Sequence, residues 1–479
     1  MAQIVANSLK EHRAKTGSKL TKPNSSNSSK HDRTISALVI VLFIAFMILS
    51  VIGVGTRMFV SLIGIAICIA CFFRREVRID WWIFIPLIVY IAMSFASGFF
   101  TYGSILSGYA SLQLIFLTLY AASCSLRINE TNLLRMLCVL WAGIAAAVGI
   151  IAFTFLAFAT TPTRLDFVIG SPNGLGIFLV LSWFALQSCR MTEHEGKLFK
   201  TIDRLEPIIL VALAMTLSMG SIAALVIGLI VLFFSRVRSA KSWKEGVHFI
   251  AGIVPKLFLS LLTGFLMYMA AERADAPILC LIILTYLICM IFLWKRFEIF
   301  LEQNFKVALA LSIIGLLCIP LALFMRPSAI ATFSERLAMM ANGASYLFVE
   351  PILGLGPMQW RAHNLVDSDM YFNTNHIHNA YLHVGVEFGL IAMAALIIIT
   401  IRLFVKHYKE AQHGEDAAFL THMLTDTGFF FVGIVGTFIL TAGGSTTPAK
   451  KIGAVGTKIL FGVLCVLHIM ILWIYLSSF

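Results

Sequence analysis

Charge is scarce in this chain, and acid is scarcer than base. Asp and Glu number 24 against 36 Lys and Arg, and 13% of the 479 residues are charged, about half the share usual in a soluble domain. Proline is also sparse, 12 in all, so apolar runs go largely uninterrupted. Strict apolar–polar alternation is missing, which excludes a transmembrane β-barrel. No cleavable signal peptide opens the chain: the first 34 residues are polar, with a Ser/Asn-rich tract between Lys22 and Lys30, and read as a disordered cytoplasmic tail. Nine cysteines are present, none of them in the long polar stretch between Arg326 and Ile377. No disulfide framework is implied, and Cys68 and Cys71, despite their CxxC spacing, sit inside an apolar run and read as core.

What is there is apolar: 59% hydrophobic residues at a mean hydropathy of +0.91. The chain therefore reads as an all-α, polytopic transmembrane helical bundle, residues 35–479 forming one domain after the tail 1–34. The runs predict about twelve to fourteen spans, near 35–55, 57–73, 80–100, 104–124, 133–159, 174–190, 207–219, 221–235, 249–270, 277–295, 306–325, 380–405, 424–442 and 455–477. With the basic tail inside, most Lys and Arg fall in loops on the same side, among them Arg74–Arg78, Arg236–His248 and Arg402–His422. The net charge of +12 is thus an orientation signal, not a nucleic-acid footprint. One helix over 207–235 would throw the basic loop 236–248 outside, which decides for two. The expected placement is a multi-pass protein of a bacterial cytoplasmic membrane with both termini cytoplasmic and Lys450–Lys451 left on the opposite side.

On this topology the stretch 326–377 is one large, structured extracytoplasmic loop. Thr332-Phe333-Ser334-Glu335 has capping-box spacing. Leu337, Met340, Ala341, Ala344, Leu347 and Phe348 then recur as an amphipathic helix would. Gly354-Leu355-Gly356-Pro357 makes a turn. The loop leads into a span whose first residues, Asn379, His383 and Glu387, recur every four positions as a polar stripe. Ionisable groups entering a bilayer are expensive and point to a site; the alternative is that His383 and Glu387 satisfy each other inside the bundle. Gly385 and Gly389 form a small-residue line for a neighbouring helix. A second outward loop holds Arg164 and Asp166, and its Asn173 stands where a helix would begin, as an N-cap or a substrate contact.

Arg326, Arg336 and Arg361 share the long loop with His376 and His378. Arginine is the side chain best matched to phosphate oxygens, and a histidine beside it can take a proton from an attacking hydroxyl. The set suggests group transfer from a lipid diphosphate to an alcohol. Two rivals remain open. His376, His378 and His383, with His363, could hold Zn²⁺, although no HExxH is present and Asp367 and Asp369 are in irregular chain. A transporter or flippase of a lipid-linked or small solute could use the Asn379/His383/Glu387 stripe as a relay.

In these residues the chain resembles the O-antigen ligase and O-antigen polymerase superfamily of bacterial envelope enzymes, over a region of about 173–405. His378-Asn379, nine residues and Gly389 match that family's His-Asn…Gly pattern. Ser334-Glu335-Arg336 followed by Pro351-Ile352-Leu353-Gly354-Leu355-Gly356 resembles its arginine helix and Pro-x-x-Gly-x-Gly turn, and Gly170–Gly176 is similar to its Pro-Asn turn. The resemblance implies a metal-independent membrane glycosyltransferase without a cofactor. It would move a glycan from an undecaprenyl-diphosphate carrier to a saccharide or lipid-linked acceptor. By position His378 would be the base and Arg336 a diphosphate ligand, with Arg326, Arg361, Asn379, His376 and Arg164 about the substrate and His383, Glu387 and Asn173 behind them. Two positions depart from the family: Met219 stands where an arginine is frequent, and Met340 where a tryptophan is. The first leaves the second diphosphate cation to Arg326, Arg361 or Arg164.

Overall fold

The structure, a computed structural model, describes residues 30–478 apart from 54–55, 107–109, 163, 168, 193–195, 273–275, 325–327, 368–371, 373, 409–412 and 443–449. Nearly all of the predicted tail, together with Arg326 and Asp369, lies outside the described residues. The described chain is helical almost throughout. Its first part runs α1 (Lys30–Val51), α2 (Arg57–Phe72), a short strand β1 (Val77–Ile79), α3 (Trp81–Tyr102), α4 (Leu114–Ser123), α5 (Ile128–Leu156) and α6 (Pro172–Met191). Next come α7 (Lys197–Asp203), α8 (Glu206–Met215), α9 (Met219–Ala240), α10 (Trp243–Glu272), α11 (Pro277–Gln303) and α12 (Phe305–Phe324). The long loop holds α13 (Ser328–Tyr346) and α14 (Gln359–Asp367). The chain continues through α15 (Ala380–Lys406), α16 (His413–Thr425), α17 (Val432–Ala442), β2 (Lys450–Ile452) and α18 (Ala454–Ser477).

Among the described residues, nine helices are long and apolar enough to cross a membrane, and four further apolar helices are shorter. That is the pattern of a multi-pass membrane protein. The expected break inside 207–235 is present: α8 ends at Met215, and Ser218 caps α9 by accepting from the Ser221 N–H.

Contacts fix the direction of the helices. The Ser36 hydroxyl near the start of α1 accepts from Arg74 just beyond the end of α2. β1 pairs antiparallel with β2, Arg78 opposite Lys451. Asp80, which caps α3, also accepts from Arg402 near the end of α15, and Lys458 near the start of α18 lies over the Phe72 ring. All of these define one basic end of the bundle. The long loop and the start of α15 lie at the other.

Several expectations fail here, for identifiable reasons. The predicted span 424–442 and the later part of the predicted loop Arg402–His422, from His413, are instead a helical hairpin, α16 rising from the basic end and α17 returning to it, while Arg402–Lys406 still belong to α15. Gly414 packs on Gly228 of α9 and Gly220 on Asp426, while Gly433 abuts Ser50 of α1 and Gly436 abuts Phe46. The polar residues of α16 are buried by partners inside the bundle, so a hydropathy pattern alone reads them as loop. With two helices in the place of one, Lys450 and Lys451 stand at the basic end. His468 then packs on Gly64, so α18 runs antiparallel to α2 and ends opposite the start of α1. Residues 30 and 477 therefore lie at opposite ends of the described bundle. In the loop, α13 begins at Ser328, so Thr332 is interior rather than a cap. Its buried face carries Met339 and Gly343, whereas Leu337 and Phe348 point outward.

Candidate functional site

The long loop has its own core. Met339, Leu355, Trp360, Phe372, Ile377 and Val386 are buried together, and the Trp360 indole N–H donates to Asn342. Its turn docks into a break in α15. Gly389 has φ +86° and ψ 168°, which is not helical. Breaking a helix frees backbone groups that must be satisfied elsewhere, and the turn does this. The Leu355 N–H donates to Val386 O at 2.8 Å and the Gly356 N–H to Glu387 O at 3.1 Å, while Pro351 O accepts from the Leu390 N–H at 2.8 Å. A Cβ on Gly389 would lie 2.0 Å from Ile352 O, and one on Gly354 2.3 Å from the Glu387 carbonyl carbon. The two glycine motifs are halves of one interlock.

Below the turn, His383 and Glu387 hold the loop's exit. The Ile377 N–H donates to His383 Nδ1 at 3.3 Å. A backbone N–H can only donate, so Nδ1 is the acceptor and Nε2 carries the hydrogen. That Nε2 stands 3.2 Å from Glu387 Oε2 and 3.3 Å from His376 Nδ1. Glu387 Oε2 also accepts from the Met358 N–H. His376 is stacked on Phe430; burial first, and then the adjacent His383 and His378 rings, push its pKa down to about 2, so it is a neutral imidazole. Asn379 caps α15, its side-chain oxygen accepting from the Leu382 N–H.

His378 turns the other way, toward the tip of the α16–α17 hairpin. Its Nδ1 is 3.3 Å from Asp426 Oδ1, and the Arg336 Nη2 is 3.0 Å from Asp426 Oδ2. Arg336 Nη1 donates to Thr425 O at 2.6 Å. Asn173 donates to Asp426 Oδ1 at 3.1 Å and accepts from Arg164 Nη2 at 2.9 Å. Arg164 Nε in turn reaches Thr216 O, just before the Ser218 turn. Asp426 is fully buried, while His378 and Arg336 keep 17% and 16% exposure. Burial pushes the Asp426 pKa up, but the contact with His378 and the nearby His422 and Arg336 side chains outweigh it and hold the carboxyl well below the usual range.

One carboxylate thus gathers His378, Arg336, Asn173 and Arg164. Asn173 is free for this because Ser171, not Asn173, caps α6. Arg361 meets Asn375 within the loop rather than this cluster. Asp426 and the buried His422 one turn before it were missed by the sequence reading. The signal was present: a carboxylate inside a presumed span is itself a site pointer. Among the described residues no group of three His, Cys, Asp or Glu side chains is set to hold a metal ion. Compared with protein-family models and with curated proteins, the chain matches none.

Proposed function

We propose that this protein is a membrane glycosyltransferase that moves a glycan from a polyprenyl-diphosphate carrier to a saccharide hydroxyl at the outer face of a bacterial cytoplasmic membrane. The observation that supports the reading best is the convergence on Asp426 of an arginine, a histidine and an asparagine from separate stretches of chain. With Nδ1 facing Asp426, the His378 Nε2 is the nitrogen left to act as base. It takes the acceptor's proton as the hydroxyl oxygen attacks the anomeric carbon, and the carbon–oxygen bond to the diphosphate breaks on the opposite face, inverting the centre. The electron pair leaves with the diphosphate. Arg336, with one N–H donated to Thr425 O and Nη2 paired in charge with Asp426, presents its remaining donors to that leaving group. Such stabilisation is worth on the order of 3–4 kcal/mol. Arg164, reaching the turn before Met219, stands in for the second cation. Asp426 holds the imidazole and stabilises the imidazolium, the part an aspartate has in hydrolytic triads.

His378→Ala is expected to abolish glycan transfer in reconstituted vesicles while leaving insertion and carrier binding intact, and Arg336→Lys to impair it severely, since an ammonium cannot form the bidentate fork. Activity in His378→Ala would refute the assignment. One feature favours a transporter instead: broken helices such as α15 commonly form ion sites. Here the freed carbonyls of Val386 and Glu387 already accept from the loop. Proton-dependent uptake by vesicles holding the purified protein would decide for that rival.

A further inference from the structure

The foot of the α16–α17 hairpin holds a second buried ionisable cluster that the proposed chemistry does not use. Glu415 and Asp416 are at most 1% exposed, and His407 and His413 are buried with them. The Thr441 hydroxyl of α17 donates to Glu415 Oε1 at 2.6 Å. His407, just after α15, places Nδ1 2.5 Å from Asp416 Oδ2. From α5, Arg135 donates to Thr441 O at 2.8 Å and faces Glu415 together with Cys138; Cys189 faces it from α6. His413 packs on Phe404 and Tyr408 and faces Asp416 and His407. Among the described residues, Glu415 Oε2, Asp416 Oδ1, His407 Nε2 and both His413 nitrogens have no hydrogen-bond partner.

A neighbouring ionic cluster shows what a purely structural staple looks like in this fold. Glu206 accepts from Trp183, Gln187, Arg190 and Trp294 and pairs with Lys256. Asp203 pairs with Arg190, and Glu298 with Lys256 and Lys295. Three acids there face three cations. At the hairpin foot, among the described residues, two carboxylates stand with Arg135 as the fixed cation facing Glu415, while Arg238 is held over the Tyr408 ring. Leaving a net charge buried is costly, and one proton removes it wherever it rests, on His407, His413 or a carboxyl.

We infer that the hairpin foot is a proton-binding site in which Glu415, Asp416 and the adjoining histidines share one exchangeable proton. Glu415 lies near the start of α16 and Asp426 directly follows its last residue, eleven residues or about 16 Å apart, so occupancy at the foot and the placement of the tip are linked through one helix. The inference does not depend on the transfer reaction.

The test is spectroscopic, on the full chain in detergent. Infrared spectra with ¹³C-labelled Asp or Glu report a protonated carboxyl, and ¹⁵N-histidine NMR reports an imidazolium. The expected result is one of two signals. Either a deuterium-sensitive carboxylic acid band is lost in Glu415→Gln or Asp416→Asn and kept in Glu387→Gln, or an imidazolium resonance is lost in His407→Gln or His413→Gln. Isotope labelling reads the residue type in the unaltered protein even if a variant fails to fold. Absence of both signals at every pH where the fold persists would overturn the site. So would a signal that Na⁺ or K⁺ displaces at constant pH, which would make it a cation site.

Discussion

Asp426 is where three sequence signals meet, and its removal separates positioning from packing. Asp426→Asn keeps the shape and lets the side chain still accept one hydrogen bond, but removes the charge behind His378 and Arg336. In the comparable serine-protease change the loss is about 10⁴ in turnover. A fall of at least about 10²-fold in kcat with little change in donor KM is expected here; an unchanged kcat would make Asp426 a packing hub only. His378 and Arg336 were legible because each lies in a polar loop. Asp426 was not, because hydropathy assigned Leu424–Thr427 to a span. His376 gives a pH prediction. A histidine at about 6.5 when unfolded and about 2 when folded takes up protons on unfolding, so its stability contribution is full above about 6.5 and falls as pH drops through the window below it. Limited proteolysis of the loop should therefore accelerate from about pH 7.5 to about pH 5 more in the native protein than in His376→Phe. Equal acceleration in both would place the acid sensitivity elsewhere.

Among elements, the broken α15 and the loop turn stand or fall together. The sequence showed both glycine motifs but not that they touch, because the contact depends on a non-helical Gly389 that helical periodicity conceals. Gly389→Ala forces a Cβ against Ile352 O at a backbone angle that L-residues avoid. The backbone strain alone is about 1–3 kcal/mol, and the clash adds to it. The variant should show a lower Tm and rapid proteolysis within 350–358. Gly252→Ala makes the control: it lies inside α10, where an added Cβ meets nothing within 4 Å, so it should be neutral or slightly stabilising. Equal Tm values for the two variants would mean that the turn does not depend on the break. The hairpin α16–α17 teaches the same lesson. Its helices were hidden because His413, Glu415, Asp416 and His422 read as loop residues until Arg135, His407 and Thr441 are seen to surround the hairpin foot.

For the whole molecule, the all-α class and the basic polarity were legible and the α16–α17 hairpin was not. Counting 424–442 as one span left Lys450 and Lys451 as exceptions on the charge-poor side. The structure removes the exception: β2 pairs with β1 beside Arg78, and Lys451 pairs with Glu76, so these lysines join the basic end. The positive-inside bias is thereby stronger than the sequence count made it, and it predicts that the basic end is cytoplasmic. With the hairpin counted as two passes, α18 must finish at the loop end. Tags placed before residue 30 and after residue 478 should accordingly differ in intact cells. A membrane-impermeant reagent should reach the C-terminal tag and the loop near Phe348, but not the N-terminal tag or a cysteine placed at Arg78. Protection of both tags would mean that α16 and α17 do not both cross. It would also move His378 relative to the end of α18, and with it the side on which the Asp426 cluster faces its substrate.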